Sequence, residues 1–201
     1  MSWISSYTKC DVEYILMLFC NAVEGADLVV LPAVFAEVAQ EFQISPKSLG
    51  TLTMARGILQ ALTSPLAGVL DTRFDRRLVI GFGALLWALA TFALAGSVNY
   101  AMLFAFRAIN GIGLGIAPPL IYAFVADSHP KHNHGKAFGF LGLVAGIGVG
   151  VGGIVSTSVA ATSLGPISGW RIALSIIATL SLLLGVGVLL AVRFERNGRG
   201  G

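Results

Sequence analysis

Charge is what this sequence has least of. Lys, Arg, Asp and Glu make up 11% of its 201 residues, against about a quarter in soluble domains. Thirteen basic and ten acidic side chains cannot coat a water-facing surface of this size. That scarcity excludes a soluble enzyme, a disordered chain and a nucleic-acid binder. Cysteine is nearly absent: Cys10 and Cys20 give neither a disulfide framework nor metal-ligand spacing. The alternating strands of an outer-membrane barrel are missing. The first apolar run does not read as a cleavable leader, because Glu13, Glu24 and Asp27 interrupt it. No nucleophile motif and no phosphate-binding loop occurs, so neither catalysis nor a cofactor is expected.

Apolar residues fill the space that charge leaves. They form 56% of the chain, mean hydropathy is +0.83, and 25 residues are glycine. A spanning helix needs about 20 mostly apolar residues. Six runs qualify: Val12–Val34, Leu49–Leu70, Leu78–Val98, Tyr100–Ala126, Ala137–Ala161 and Trp170–Val192. The expected fold is an all-α integral membrane bundle of six transmembrane helices. It divides into a cytoplasmic N-terminus (1–11), the bundle (12–192) and a cytoplasmic tail (193–201).

Basic residues set the orientation. Lys9, Arg73, Arg76, Arg77, Lys131, Lys136, Arg193, Arg196 and Arg199 share one side of a six-span chain, nine of the thirteen. Only Lys47 and Arg171 fall on the other. The richer side is cytoplasmic.

Four ionisable residues lie within the apolar runs: Glu24 and Asp27 in the first, Arg56 in the second, Arg107 in the fourth. Each costs at least about 2.5–3.5 kcal/mol at mid-bilayer unless it meets water or a partner. Glu24 and Asp27 are three apart and share a helix face. Counted from the outer ends, Asp27, Arg56 and Arg107 all lie about 10–12 Å deep, with Glu24 one turn deeper. Two acids and two bases thus occupy one layer. Two readings stand: ion pairs that lock the bundle, or a proton and substrate site in a hydrated cavity.

The fifth span carries Gly139, Gly142, Gly146 and Gly150, with Gly148, Gly152 and Gly153 between and beyond them. Small residues at this spacing predict a packing face. Pro118 and Pro119 predict a kink in the fourth span. His129, His132 and His134 between spans four and five read as a solvated basic loop, without a metal site.

The segment Ser64–Arg77, SPLAGVLDTRFDRR, resembles the loop 2–3 signature of the major facilitator superfamily. Gly68, Arg73 and the Arg76-Arg77 pair match it; the acid stands at Asp71, one place before the usual position, which holds Thr72. RAINGIGLG (Arg107–Gly115) is similar to the fourth-helix signature, and ADSHP (Ala126–Pro130) is also family-like. EGADLVVLPAVF and GWR complete a likeness to the amino-terminal half of plant-type or Spinster-like facilitators. The fifth span lacks the Gly-Pro pair of the antiporter signature. The resemblance implies a secondary transporter of a small organic or lipid-like solute, proton-linked through Glu24 or Asp27 with Arg107, and with Arg56 beside them. It also implies a cytoplasmic latch of Asp71, Arg73, Arg76, Arg77 and Asp127. Membrane lipid and a small-molecule substrate are the expected partners. Six helices are half of such a fold, so a second six-helix half or a homodimer is expected too. A non-transporting membrane scaffold is the alternative.

Overall fold

The computed structural model describes the backbone of residues 2–198 and the side chains of residues 13–163 and 165–191. Lys9, Arg193, Arg196 and Arg199, which entered the charge count, lie outside the described side chains. The chain is almost entirely helical: α1 (Ser2–Ala33), α2 (Phe35–Phe42), α3 (Pro46–Arg73), α4 (Arg76–Ala95), α5 (Tyr100–Ser128), α6 (His134–Ala160) and α7 (Gly169–Gly198). A 3₁₀ turn, Lys131–Asn133, precedes α6. Six of the seven helices coincide with the six apolar runs.

Local chemistry sets the ends. Pro32 cannot donate a backbone hydrogen bond, and the first helix breaks at Val34 just beyond it. The chain then restarts as α2, which stops at Gln43 in the left-handed conformation, φ 53°. Pro46 occupies the first turn of α3, where a missing amide hydrogen costs nothing. Asp75 caps α4 by accepting from the Arg77 amide at 3.0 Å, and Asn99 caps α5 by accepting from the Met102 amide at 2.9 Å. A short antiparallel pair, β1 (Ser163–Leu164) with β2 (Ile167–Ser168), turns the chain from α6 into α7. Neither α2 nor this hairpin was expected, being too short to register as an apolar run.

Among the described residues, five helical segments are long and apolar enough to cross a membrane: Glu13–Ala33, Arg76–Ala95, Tyr100–Ser128, Lys131–Ala160 and Gly169–Ala191. Helix α3 is less apolar. At 28 residues it is nonetheless about 42 Å long, and it packs along α5. The other close pairs are α1 with α6, α4 with α5, and α4 with α7. Trp87, Trp170, Leu31 and Leu103 are fully buried between them. Phe19, Leu62, Phe82 and Leu183 are exposed, an apolar exterior suited to hydrocarbon rather than water.

The α1–α6 contact is glycine-built, but not by the whole stripe read from the sequence. A Cβ at Gly148 would run into the Ala22 backbone, one at Gly152 would meet Ala26, and one at Gly25 would run into Ala145. Gly139, Gly142, Gly146 and Gly150 have open space instead. Residues 148 and 152 lie one turn apart and face α1; the other four line a separate, uncovered face. Gly50, Gly57 and Gly68 of α3 are similarly open.

Candidate functional site

Four helices bring polar side chains to one buried point. Asp27 of α1 is wholly buried, Arg107 of α5 is 1% exposed and Arg56 of α3 is 5% exposed. Arg107 Nη1 donates to Asp27 Oδ2 at 3.4 Å. Arg56 Nη2 lies 3.8 Å from the same oxygen. The third span, α4, adds a group the sequence reading missed. Its Thr91 hydroxyl lies 2.9 Å from the Trp87 carbonyl and 3.5 Å from Asp27 Oδ1. Asn110 Nδ2 of α5 donates to that hydroxyl at 3.0 Å. Close backbone approach makes the convergence feasible: at Gly111, one residue after Asn110, a Cβ would run into the Arg56 carbonyl.

The cluster is loosely bonded. Charge-assisted N–H···O bonds are usually about 2.7–2.9 Å long, and both contacts to Asp27 exceed that. Arg56 Nε, Arg107 Nε, Asn110 Oδ1 and Trp87 Nε1 are buried without a partner. Orphaned buried groups are uncommon and call for an explanation. Glu24, one turn deeper on α1, is half-buried. Among the described residues it forms no ion pair, although Arg56 and Asp27 are the charges that act on it. Asn21, one further turn along, donates from Nδ2 to the Leu141 carbonyl of α6 at 2.7 Å. The four intramembrane residues named from the sequence thus share one region, but only Asp27, Arg56 and Arg107 are in contact.

The end that carries Arg73, Arg76 and Arg77 is bonded tightly. Arg76 donates to both oxygens of Asp71 at 2.7 Å and to Asp127 at 2.6 Å. That fork joins α3, α4 and α5 and holds the Asp71 carboxyl below the usual carboxylate range, chiefly through the Arg76 hydrogen bonds. Arg77 turns the other way, to Glu13 of α1 at 2.7 Å. Arg73 is exposed and joins neither group. The five residues grouped as a latch therefore separate into a triad, one arginine bound to α1, and one arginine apart. Rotation separates Arg76 from Arg77, since neighbouring side chains on a helix point about 100° apart; Arg73 ends α3, before the turn that leads into α4.

The histidines bond locally. A ring nitrogen of His129 lies 2.9 Å from the Val125 carbonyl, and one of His134 lies 2.9 Å from the His129 carbonyl. Among the described residues no set of three or more His, Cys, Asp or Glu is arranged to hold a metal ion.

A second clasp, at the opposite end, went unforeseen. Glu41 of α2 accepts from Trp170 Nε1 at 2.6 Å, Ser168 Oγ at 2.8 Å and Arg171 Nη2 at 2.7 Å. Arg171 also donates to the Ala95 carbonyl at 2.7 Å and lies 4.3 Å above the Trp170 ring. Burial pushes the Glu41 carboxyl up, but its three side-chain hydrogen bonds outweigh that and hold it below its ordinary value.

Comparison with known proteins decides the family. The model described as the Major Facilitator Superfamily matches residues 17–200. The chain belongs to the major facilitator superfamily. It is therefore an integral, multi-pass membrane protein of a transporter family. The quinolone resistance protein NorA of Staphylococcus aureus is 27% identical over 136 residues, 66% of this chain and 34% of NorA. The niacin transporter NiaP of Acinetobacter baylyi is 30% identical over 150 residues, 75% of this chain and 33% of NiaP. Among solved structures, a bacterial homologue of the lysosomal transporter Spinster, inward-facing and unoccupied, superposes with a TM-score of 0.82. It is 17% identical and covers 91% of this chain and 43% of its own. The proton:xylose symporter XylE superposes with a TM-score of 0.79 at 19% identity, covering 92% of this chain and 45% of its own. The chain thus spans between a third and a half of the length of these facilitators. Within that frame, α1, α3, α4, α5, α6 and α7 are the six long helices, and α2 and the hairpin are connections at the end opposite Arg76.

Proposed function

We propose that this chain forms one six-helix wall of a proton-linked facilitator for a small organic solute, with the Asp27 cluster and Glu24 at the transport site. The observation that carries the reading is the looseness of the cluster. A structural lock would close its hydrogen bonds, because an unpaired buried charge costs several kcal/mol. Here two guanidiniums share one carboxylate at long range and keep spare donors, and a second carboxyl stands nearby without a direct ion pair among the described residues. Arg56 and Arg107 suit an anionic or hydrogen-bonding group of a solute. Glu24 is the carboxyl free to take and give up a proton.

The latch and the clasp fit the same reading. The Asp71–Arg76–Asp127 triad ties α3, α4 and α5 at the end with the basic excess, read as cytoplasmic. The Glu41 clasp ties α2, α4 and α7 at the other end. Alternating access is largely the movement of rigid helix bundles around a fixed site, and clasps of this kind keep a bundle rigid. The uncovered glycines of α3 and α6 favour a further element of the reading. They leave flat faces on which a second six-helix half, or a second copy of the chain, can pack closely.

Transport into proteoliposomes tests the proposal. Niacin, a quinolone and xylose serve as probes, with the pH gradient imposed or collapsed, on the protein alone and on any larger native assembly. Uptake of one probe that needs the gradient, and that is lost in Glu24→Gln, is the expected result. Gradient-independent uptake, or uptake indifferent to Glu24→Gln, would exclude the proposed proton linkage.

A further inference from the structure

A carboxyl that takes up a proton becomes a hydrogen-bond donor. Away from water that new O–H needs an acceptor, because a buried donor left unmet is expensive. One turn from Glu24, among the described residues, an acceptor stands with nothing to accept from. Asn21 is 1% exposed, and its Oδ1 is buried without a partner. The amide cannot turn over to change this. Its Nδ2 donates to the Leu141 carbonyl of α6 at 2.7 Å. A carbonyl only accepts, so the NH₂ end must stay on Leu141 and the oxygen is left on the other side of the amide. Backbone contacts next to Asn21 and one turn beyond it, Ala22 against Gly148 and Gly25 against Ala145, hold α1 at this distance from α6.

Glu24 follows Asn21 by three positions, on the same face of α1. Side chains so spaced have Cβ atoms about 5–6 Å apart, and a long side chain on a helix leans back over the preceding turn. The Glu24 carboxyl therefore leans toward Asn21. Few charged or titratable groups surround it. Asp27 lies one turn further along α1, and Arg56 of α3 and Tyr122 of α5 are electrostatically linked to Glu24. Cys20 of α1 shares the face, but it is buried and its sulfur is a weak acceptor. Residues 78–95 of α4, 137–160 of α6 and 172–191 of α7 contain no ionisable side chain. Arg56 attracts the carboxylate form of Glu24. The Asn21 oxygen repels that form and suits the neutral acid.

We propose, on the reading of Glu24 as the proton-exchanging carboxyl, that Asn21 is its positioning residue: Asn21 Oδ1 accepts a hydrogen bond from protonated Glu24, and Asn21 Nδ2 ties that carboxyl to α6. Each protonation state then has its own partner, Arg56 for the carboxylate and Asn21 for the acid. The proton leaves and returns at Glu24, and Asn21 exchanges none. A packing role alone would account for the bond to Leu141 but not for an oriented oxygen without a donor.

Infrared difference spectroscopy across a pH step, on the whole chain in lipid nanodiscs, tests this. With isotope-labelled asparagine, a side-chain carbonyl of the unaltered protein should shift in step with the Glu24 carboxyl band, and both signals should vanish in Glu24→Gln. Asn21→Leu should move the protonated Glu24 C=O band to higher frequency. It should also lower the pH midpoint of that band by up to about one unit, the worth of one hydrogen bond to the neutral form. Gly152→Ala, which drives a Cβ into Ala26 within the same helix pair, should lower thermal stability and leave band and midpoint in place. An unchanged Glu24 band in Asn21→Leu, an equal shift in Gly152→Ala, or no asparagine response in the unaltered protein would overturn the role of Asn21 alone. Absence of any titrating Glu24 band in the unaltered protein would overturn the reading of Glu24 and, with it, the role of Asn21.

Discussion

Asp27→Asn perturbs the buried cluster with the least change of shape. It removes the one carboxylate that faces guanidiniums at 3.4 and 3.8 Å. At an effective dielectric constant of about 20, a pair of unit charges near 4 Å is worth about 4 kcal/mol. Breaking a buried pair while leaving the other charge in place costs about 3–5 kcal/mol. Asp27→Asn is thus expected to destabilise the protein by about 3–5 kcal/mol, and Arg107→Gln by less, since Arg56 still faces Asp27. In the double variant one of the stranded cations is gone, and the loss should fall below the sum of the two single losses by about 1–3 kcal/mol. Denaturant titration of the four proteins in detergent micelles, followed by helical circular dichroism, measures that coupling. Additivity to within about 0.5 kcal/mol would refute the claim that Asp27 and Arg107 act as a pair.

Three further outcomes follow from the same geometry. Single cysteines at Lys47 and Lys136, in a background without Cys10 and Cys20, should label from opposite sides of sealed vesicles; labelling from the same side would refute the six-span topology. Gly148→Leu should force α6 away from α1 and lower thermal stability, whereas Gly146→Leu, at a position with nothing within 4 Å, should leave the isolated bundle folded and weaken only its association with a second bundle. Equal thermal losses in the two variants would contradict the assigned contact face. Glu41 has its carboxyl lowered from 4.5, so the clasp contributes fully above pH 4.5 and is lost as pH falls through the lowered value. Glu41→Gln should therefore be less stable than the unaltered protein above pH 4.5 and converge with it in stronger acid; a stability gap independent of pH would contradict the clasp.

What was readable in advance followed from regular geometry. A rise of 1.5 Å per residue and the distribution of apolar residues locate six helices, to within a few positions except at the start of the first, which begins ten residues before its apolar run, and the end of the last, which continues six beyond it. Counting inward from their ends places Asp27, Arg56 and Arg107 at one depth, and these three do meet. Contacts that depend on rotation about a helix axis were not readable. Arg73, Arg76 and Arg77 look alike in sequence, yet one reaches Asp71 and Asp127, one reaches Glu13 and one stands free. Only a folded bundle decides which of two glycine sets in α6 faces α1. Thr91 and Asn110 gave no signal, because a threonine or asparagine in a membrane helix is ordinary until a carboxylate is placed beside it. The Glu41 clasp joins residues 127 to 130 positions apart through elements too short to form a periodic pattern.

The central claim is that the bundle holds a carboxyl, Glu24, free to exchange a proton beside a shared, loosely bonded Asp27. Infrared difference spectroscopy of the protein in lipid nanodiscs, recorded across a pH step, observes that exchange without knowledge of the solute. The account predicts a protonated-carboxyl C=O band that rises and falls with pH, persists in Asp27→Asn and disappears in Glu24→Gln. A band unchanged by Glu24→Gln, or no titrating carboxyl band in the unaltered protein, would contradict it.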